Sequence, residues 1–229
     1  MGFWNAIGAA VRVGWTSARA NAVPTAVLWF LSAIAVLGYY RVPGAADALN
    51  PVAEWQIRWG VWGAVLNQMV FSGVVPTVFI LTVKEIRTRH QLAKAALQIA
   101  WGGMWGVFCW WFFSLQCRMF GPGHEFGTLV LKTAIDQFVW TVLVVSPLSA
   151  LFYLWLGCDF SCGVVREKCR AGFWSHVVLP MLVTNWCVWI PVSFAVYAFP
   201  YALQIQVLGL VGALWTLFCR QIGRHVSAV

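Results

Sequence analysis

Six apolar stretches separated by short polar gaps fill most of the chain. They are Val23–Tyr40, Trp59–Val83, Ala95–Cys117, Gly127–Gly157, Val177–Phe199 and Tyr201–Cys219. Each is of helix length, and none alternates apolar and polar residues with period two. The pattern therefore predicts helices and not the strands of a β-barrel. A helix needs about 20 apolar residues to cross the hydrocarbon core of a bilayer. Val23–Tyr40 just suffices, and Gly127–Gly157 is the longest. Pro76 falls inside the second stretch and predicts a kink. Pro200 alone separates the last two, which predicts either a tight helical hairpin or one strongly bent element.

Ahead of the six stretches, Phe3, Trp4, Ile7, Val11 and Trp15 recur near one helix face, with Arg12 and Arg19 as the only charges. That spacing predicts a short amphipathic helix lying in the membrane interface. The segment lacks the continuous apolar core and cleavage site of a secretory signal. The expected organisation is an interfacial segment over residues 1–22 and a transmembrane helical bundle over 23–229.

Composition agrees with that solvent. Of the 229 residues, 61% are hydrophobic, 16% aromatic and only 10% charged, and the mean hydropathy is +0.77. Soluble domains average roughly 45–50% apolar and about 25% charged residues. So few ionic groups cannot cover a water-facing surface of this size, which excludes a soluble enzyme, a nucleic-acid binder and a disordered scaffold.

The net charge of +8 comes from 15 Lys and Arg against 7 Asp and Glu. The basic residues sit in the gaps, where they set topology and meet anionic headgroups. With six spans, one side carries Arg12, Arg19, Lys84, Arg87, Arg89, Lys94, Arg166, Lys168, Arg170, Arg220 and Arg224. The other carries only Arg41, Arg58 and Arg118. A split of 11 to 3 predicts both termini on the cytoplasmic, or matrix-like, side. Seven cysteines raise the question of redox chemistry. Cys109, Cys117, Cys187 and Cys219 lie in or at the ends of apolar stretches, where a thiol behaves as a small hydrophobe. Cys158, Cys162 and Cys169 fall in one expected loop on the reducing side without C-x-x-C spacing, so free thiols are expected and no metal or dithiol centre.

Candidate chemistry is sparse. Lys132 and Asp136 stand at i and i+4 inside the fourth stretch and can pair on one helix face, with Gln137 adjacent. A charge in the hydrocarbon core costs about 2.5–3.5 kcal/mol on insertion scales, so such residues face protein or water. One reading has Lys132 reaching the interface while Asp136 pairs with it for packing. The other places Asp136 and Gln137 on a polar path between helices. Gly102 and Gly106 form a G-x-x-x-G spacing, and Gly209 with Ala213 a small-x-x-x-small pair, suited to close packing within the bundle or at a dimer face. Many of the 16 tryptophans fall near span ends, as in an interfacial belt. His90, His124, His176 and His225 are not spaced for a metal, and no H-E-x-x-H, G-x-S-x-G, Walker or dinucleotide motif occurs. No catalytic residue, cofactor or metal is expected.

Residues 100–220 carry an ordered set of motifs. Lys132, Asp136 and Gln137 form K-x-x-x-D-Q at the opening of a span. Asn185, Trp189 and Pro191 follow, then Tyr197, Pro200 and Trp215. Upstream, Trp111, Phe112 and Leu115 precede Phe120, Gly121 and Pro122. The set resembles the Mpv-seventeen and peroxisomal membrane protein (PMP-twenty-two) family. The chain departs from that family at Ser193, Val196 and Gln204, and in having six stretches where four spans are usual. The resemblance implies residence in a mitochondrial inner or peroxisomal membrane, or in a bacterial inner membrane for a distant bacterial member. It also implies a weakly selective pore or a role in solute homeostasis.

The leading expectation is thus a non-enzymatic integral membrane protein forming a small-solute pore. Lys132, Asp136, Gln137 and Asn185 are its candidate polar lining or intramembrane pair, and Trp189, Pro191, Pro200 and Trp215 its structural motif residues. Its expected partners are the lipid bilayer, a small-molecule solute and further copies of itself, and not nucleic acid. The alternative is a structural or partner-binding membrane protein in which Lys132 and Asp136 lock the bundle.

Overall fold

A computed structural model of the chain describes residues 3–20, 22–82 and 90–213. Among these residues every regular element is helical: α1 (Phe3–Ala20), α2 (Ala22–Arg41), α3 (Ala45–Gln68), α4 (Val75–Thr82), α5 (Gln91–Phe120), α6 (Phe126–Ile135), α7 (Ser146–Gly157), α8 (Cys162–Gly172), α9 (Leu179–Ala198) and α10 (Tyr201–Ala213). Three π segments, Met69–Val74, Asp136–Val145 and Phe173–Val178, join α3 to α4, α6 to α7 and α8 to α9. The continuous stretches Ala45–Phe79, Phe126–Gly157 and Cys162–Ala198 are long and apolar enough to cross a membrane. Thr25–Arg41 and Tyr201–Ala213 are apolar but shorter. The 30-residue α5 has the length, but tryptophans and glycines dilute its hydropathy. Lys84, Arg87, Arg89, Trp215, Cys219, Arg220, Arg224 and His225 lie outside the described residues.

Each π segment ends one residue short of a proline, and the proline explains it. Pro76, Pro147 and Pro180 have no N–H to donate, and each ring crowds the carbonyl four residues back. Widening the turn relieves that crowding. The last N–H groups before the prolines, on Val75, Ser146 and Leu179, reach back five residues to the carbonyls of Val70, Thr141 and Trp174. The kink expected at Pro76 is therefore taken up as a π turn. The sharp break in this region lies at Gly60, whose φ of 51° and ψ of −124° are not helical. Two expected gaps are also helical. Residues 45–58 belong to α3, which carries Asp47 in its first turn, where the helix dipole favours an acid. The gap at 158–176 contains α8, whose N-terminus is capped by Ser161 accepting from the Val164 N–H at 3.5 Å.

The described chain divides into two compact units. Among the described residues, one combines 3–29 with 134–191, and the other 30–133 with 192–213. In the first unit, α1 packs through Ala10 and Gly14, while Val11 and Trp15 of the expected apolar face are exposed. A Cβ on Gly14 would lie 2.8 Å from the Pro180 carbonyl and from Val183. Thr184 Oγ1 donates to the carbonyls of Gly14 and Pro180, each at 3.1 Å.

In the second unit, α3 and its π segment run antiparallel to α5 with glycines at the seam. A Cβ on Gly106 would stand 2.5 Å from Val65 Cα, one on Gly102 2.6 Å from the Gln68 carbonyl, and one on Gly73 2.7 Å from Ile99 Cα. The G-x-x-x-G pair thus serves packing within this unit, where missing side chains let backbones approach. On α10 the residues that do the same are Gly209, seated on Asn67 and Phe71, and Gly212, seated on Ser72. Their order shows that α10 runs in the same direction as residues 67–72. Near the ends of α2 and α9, Tyr40 Oη donates to the Ala198 carbonyl at 2.6 Å, and its ring meets His124 of the α5–α6 turn at 6.0 Å.

Alongside a buried apolar core that includes Phe112, Leu154 and Ile205, many large apolar side chains are exposed and several long polar ones are buried. Phe30, Ile57, Trp62, Phe126 and Leu143 are each at least 66% exposed, whereas Gln98, Gln116, Lys132 and Gln137 are at most 2% exposed. Gly106→Leu is expected to lower the thermal midpoint in detergent by the equivalent of at least about 1–3 kcal/mol, the usual cost of overpacking. Gly163→Ala, whose methyl group meets nothing within 4 Å, should leave stability within about 0.5 kcal/mol of the parent. Equal midpoints for the leucine variant and the parent would contradict the seam.

Candidate functional site

Of the four polar candidates, the structure brings two together in the first unit. Asp136 and Gln137 open the long π segment, and Asn185 and Trp186 lie on α9. Asn185 Nδ2 donates to Gln137 Oε1 at 3.5 Å, and Trp186 Nε1 donates to the Gln137 backbone carbonyl at 2.8 Å. The next residue continues the contact, since the Phe138 ring lies 5.5 Å from that of Trp186. Gln137 and Asn185 are 1% and 3% exposed, so their carboxamides meet away from lipid and water alike. Asp136 is buried beside them at 9%.

Lys132 belongs to the second unit, and its ammonium donates to the Gly121 carbonyl at 2.6 Å. That carbonyl ends α5, where unpaired C=O groups and the helix dipole favour a cation. The i,i+4 spacing did not suggest this partner. The Lys132 backbone carbonyl accepts from Gln116 Nε2 at 3.1 Å, and the same nitrogen donates to Tyr197 Oη at 3.0 Å. Ser114 and Tyr201 exchange a hydroxyl contact at 2.6 Å. Tyr197, noted in the sequence only as a motif aromatic, is thus a buried hydrogen-bonding group.

A second polar set escaped sequence reasoning altogether. Gln56, Asn67, Gln68 and Ser72 on α3 and its π segment, Gln98 on α5 and Gln206 on α10 form a row of mostly carboxamide groups in the second unit. Ser72 Oγ donates to Gln68 Oε1 at 2.8 Å, and Gln206 Nε2 to Gln56 Oε1 at 2.9 Å. Gln98 Nε2 donates at 3.0 Å to the Ser72 carbonyl, four residues before Pro76 and therefore the one that this proline cannot serve. Asn67 Oδ1, Gln68 Nε2 and Gln206 Oε1 are buried without a protein partner. The available signal was the clustering of Asn67, Gln68 and Ser72 in an otherwise apolar stretch, ahead of a proline. Chemically the row offers neutral donors and acceptors.

The structural motif residues take separate places. Trp189 is buried on α9, and Pro191 is exposed on the same helix. One turn before Pro191, the Val188 carbonyl accepts from Trp29 Nε1 at 3.3 Å within the first unit. Pro200 lies in the two-residue break between α9 and α10, and its carbonyl accepts the first α10 bond, from the Leu203 N–H at 2.8 Å. Trp215 lies outside the described residues. The six described cysteines carry free thiols. Cys162 and Cys169 sit on α8 and not in a loop. Among the described residues no group of three or more His, Cys, Asp or Glu could hold a metal ion.

No protein-family model matches the chain, and neither does any curated protein or solved structure. The Gln137–Asn185 contact is open to a double-mutant cycle with alanine at each position, read by denaturant unfolding in micelles. Interhelical polar contacts in membrane proteins couple by about 0.6 kcal/mol, and a coupling of that size is expected. Additivity of the two substitutions would mean that the carboxamides do not meet.

Proposed function

We propose that the chain is an integral membrane protein that crosses the bilayer six times with both termini on the cytoplasmic or matrix-like side. It passes a small neutral polar solute along the carboxamide row of α3 and α10 and performs no catalytic step. Membrane residence is supported by the large apolar side chains exposed over helices that bury their glutamines. The alternation of six crossings is supported within the second unit, where α5 opposes α3 and α10 follows it. Kinship with the Mpv-seventeen and PMP-twenty-two family, and a mitochondrial, peroxisomal or bacterial inner membrane, are part of the same proposal, on the ordered motif from Lys132 to Pro200.

The observation that carries permeation is the set of buried polar atoms on Asn67, Gln68 and Gln206 that have no protein partner. In an apolar surrounding such atoms are costly unless water or a polar solute meets them. Uncharged donors and acceptors suit a neutral solute better than an ion. Vesicles containing the purified protein should swell faster than empty ones in a glycerol or urea gradient followed by light scattering. Gln68→Leu with Gln206→Leu should slow that flux about tenfold, the worth of one or two hydrogen bonds, while Asp136→Ala leaves it within about twofold. Flux no greater than in empty vesicles, or indifferent to the leucine pair, sinks the pore. A second reading, a structural protein without transport, is favoured by the direct Gln137–Asn185 contact, and absent flux would select it.

Sidedness has its own test. Cys162 is exposed on α8, so an impermeant maleimide should label it only from the face bearing the termini. Labelling from the opposite face would reject the orientation.

A further inference from the structure

The helix α8 has a use that neither packing nor permeation absorbs. None of its 11 residues is buried. It ends at Gly172, whose φ of 145° is a conformation that favours glycine, and a Cβ there would meet Ser175 Oγ at 2.6 Å and His176 Cδ2 at 2.7 Å. That corner prevents α8 from continuing straight into the π segment and α9. At its other end, Asp159 and Phe160 both adopt positive φ, 49° and 68°, which turns the chain sharply after α7. The helix is thus set off by a turn at each end from the apolar helices that precede and follow it.

Aromatic pairs bracket it. The Trp155 and Phe160 rings meet edge-on at 5.0 Å before α8, and those of Phe173 and Trp174 at 5.6 Å after it. Trp174 is 53% exposed. Tryptophan in that position belongs at headgroup depth. Around the helix, Cys162, Arg166 and Arg170 recur every four residues as one exposed strip, while Val165, Lys168 and Cys169 are half-buried. Glu167, the one acid of the helix, lies a quarter-turn or less beyond that strip.

We infer that α8 lies along the membrane surface and docks through Arg166 and Arg170 on the anionic phospholipid headgroups of the leaflet facing the termini. The inference rests on the membrane reading above. The occupant follows from charge complementarity: two guanidiniums, each able to fork onto a phosphate, stand one turn apart at the depth that the exposed Trp174 marks. Each basic residue near an anionic leaflet is worth about fivefold in association at moderate salt.

The test uses the full chain in phosphatidylcholine vesicles containing a minority of spin-labelled phosphatidylglycerol. Electron paramagnetic resonance then reads the preference of the protein's lipid shell for the anionic lipid. Arg166→Gln with Arg170→Gln should reduce that preference about twenty-fivefold relative to the parent, while Lys168→Gln, on the half-buried side, keeps it within about twofold. A double variant with the parent's preference, or a lysine variant with an equal loss, overturns the strip. Loss of the preference to inorganic phosphate but not to chloride at equal ionic strength would reveal a discrete phosphate site, and would also overturn docking on the leaflet. Resistance to alkaline carbonate extraction separates the two levels of failure. A protein that is extracted fails the membrane reading itself, and one that stays embedded without anionic preference fails only this inference.

Discussion

Backbone hydrogen bonds that have no water to fall back on govern this structure. In hydrocarbon an unpaired N–H or C=O costs several kcal/mol, so spanning segments are helices whose irregularities must be repaired locally. Pro76, Pro147 and Pro180 interrupt apolar helices, and ahead of each of these three the turn widens so that the last available N–H finds a carbonyl five residues back, whereas Pro51 and Pro191 lie inside α3 and α9 without a π segment. Where a carbonyl is still orphaned, a side chain arrives: Gln98 at Ser72 in the second unit. The buried helix ends follow the same rule, with Lys132 on Gly121 and Tyr40 on Ala198.

Side-chain placement follows from the same constraint. Lipid tails are as apolar as leucine, so burying leucine against leucine gains little, and helices associate through small residues and polar contacts. In the second unit, Gly73, Gly102 and Gly106 bring two backbones together, and Gly209 and Gly212 make room for the amide and hydroxyl groups of the facing helix. In the first unit, the carboxamides of Gln137 and Asn185 meet, and Gly14 gives α1 its approach to α9. Large apolar side chains occur on both sides of this division: Phe112, Leu154 and Phe199 are buried, while Phe30, Phe126 and Leu143 face outward.

How much of this was legible in the sequence depends on the range of the interaction. Helical class, the apolar stretches and the amphipathic start are local properties of periodicity and composition, and α1, α2 and α5 appear close to their expected limits. The role of Gly102 and Gly106 was legible as one of two alternatives, because spacing reveals a flat face but not its partner. The Lys132–Gly121 contact was not legible, since Gly121 lies on another element and enters through its backbone. Gln56 and Gln206 could not be paired for the same reason, being 150 residues apart. Residues 45–58 and α8 read as gaps because their polar residues hid a helical tendency that capping and turns make good.

The π segments have a bearing on how any helical wheel of this chain is drawn. Within them each residue advances by less than the 100° of an α-helix, so the face presented before Met69 or Asp136 is not the face presented after Val74 or Val145. A stripe traced at 3.6 residues per turn drifts out of phase across ten residues of the Asp136–Val145 segment. The long helical stretches Ala45–Phe79 and Phe126–Gly157 therefore each carry two rods offset in azimuth, one before the π segment and one after it. A substitution that let the π turn relax to an α-helix would rotate the far rod as a whole, changing which side chains meet lipid without altering one of them.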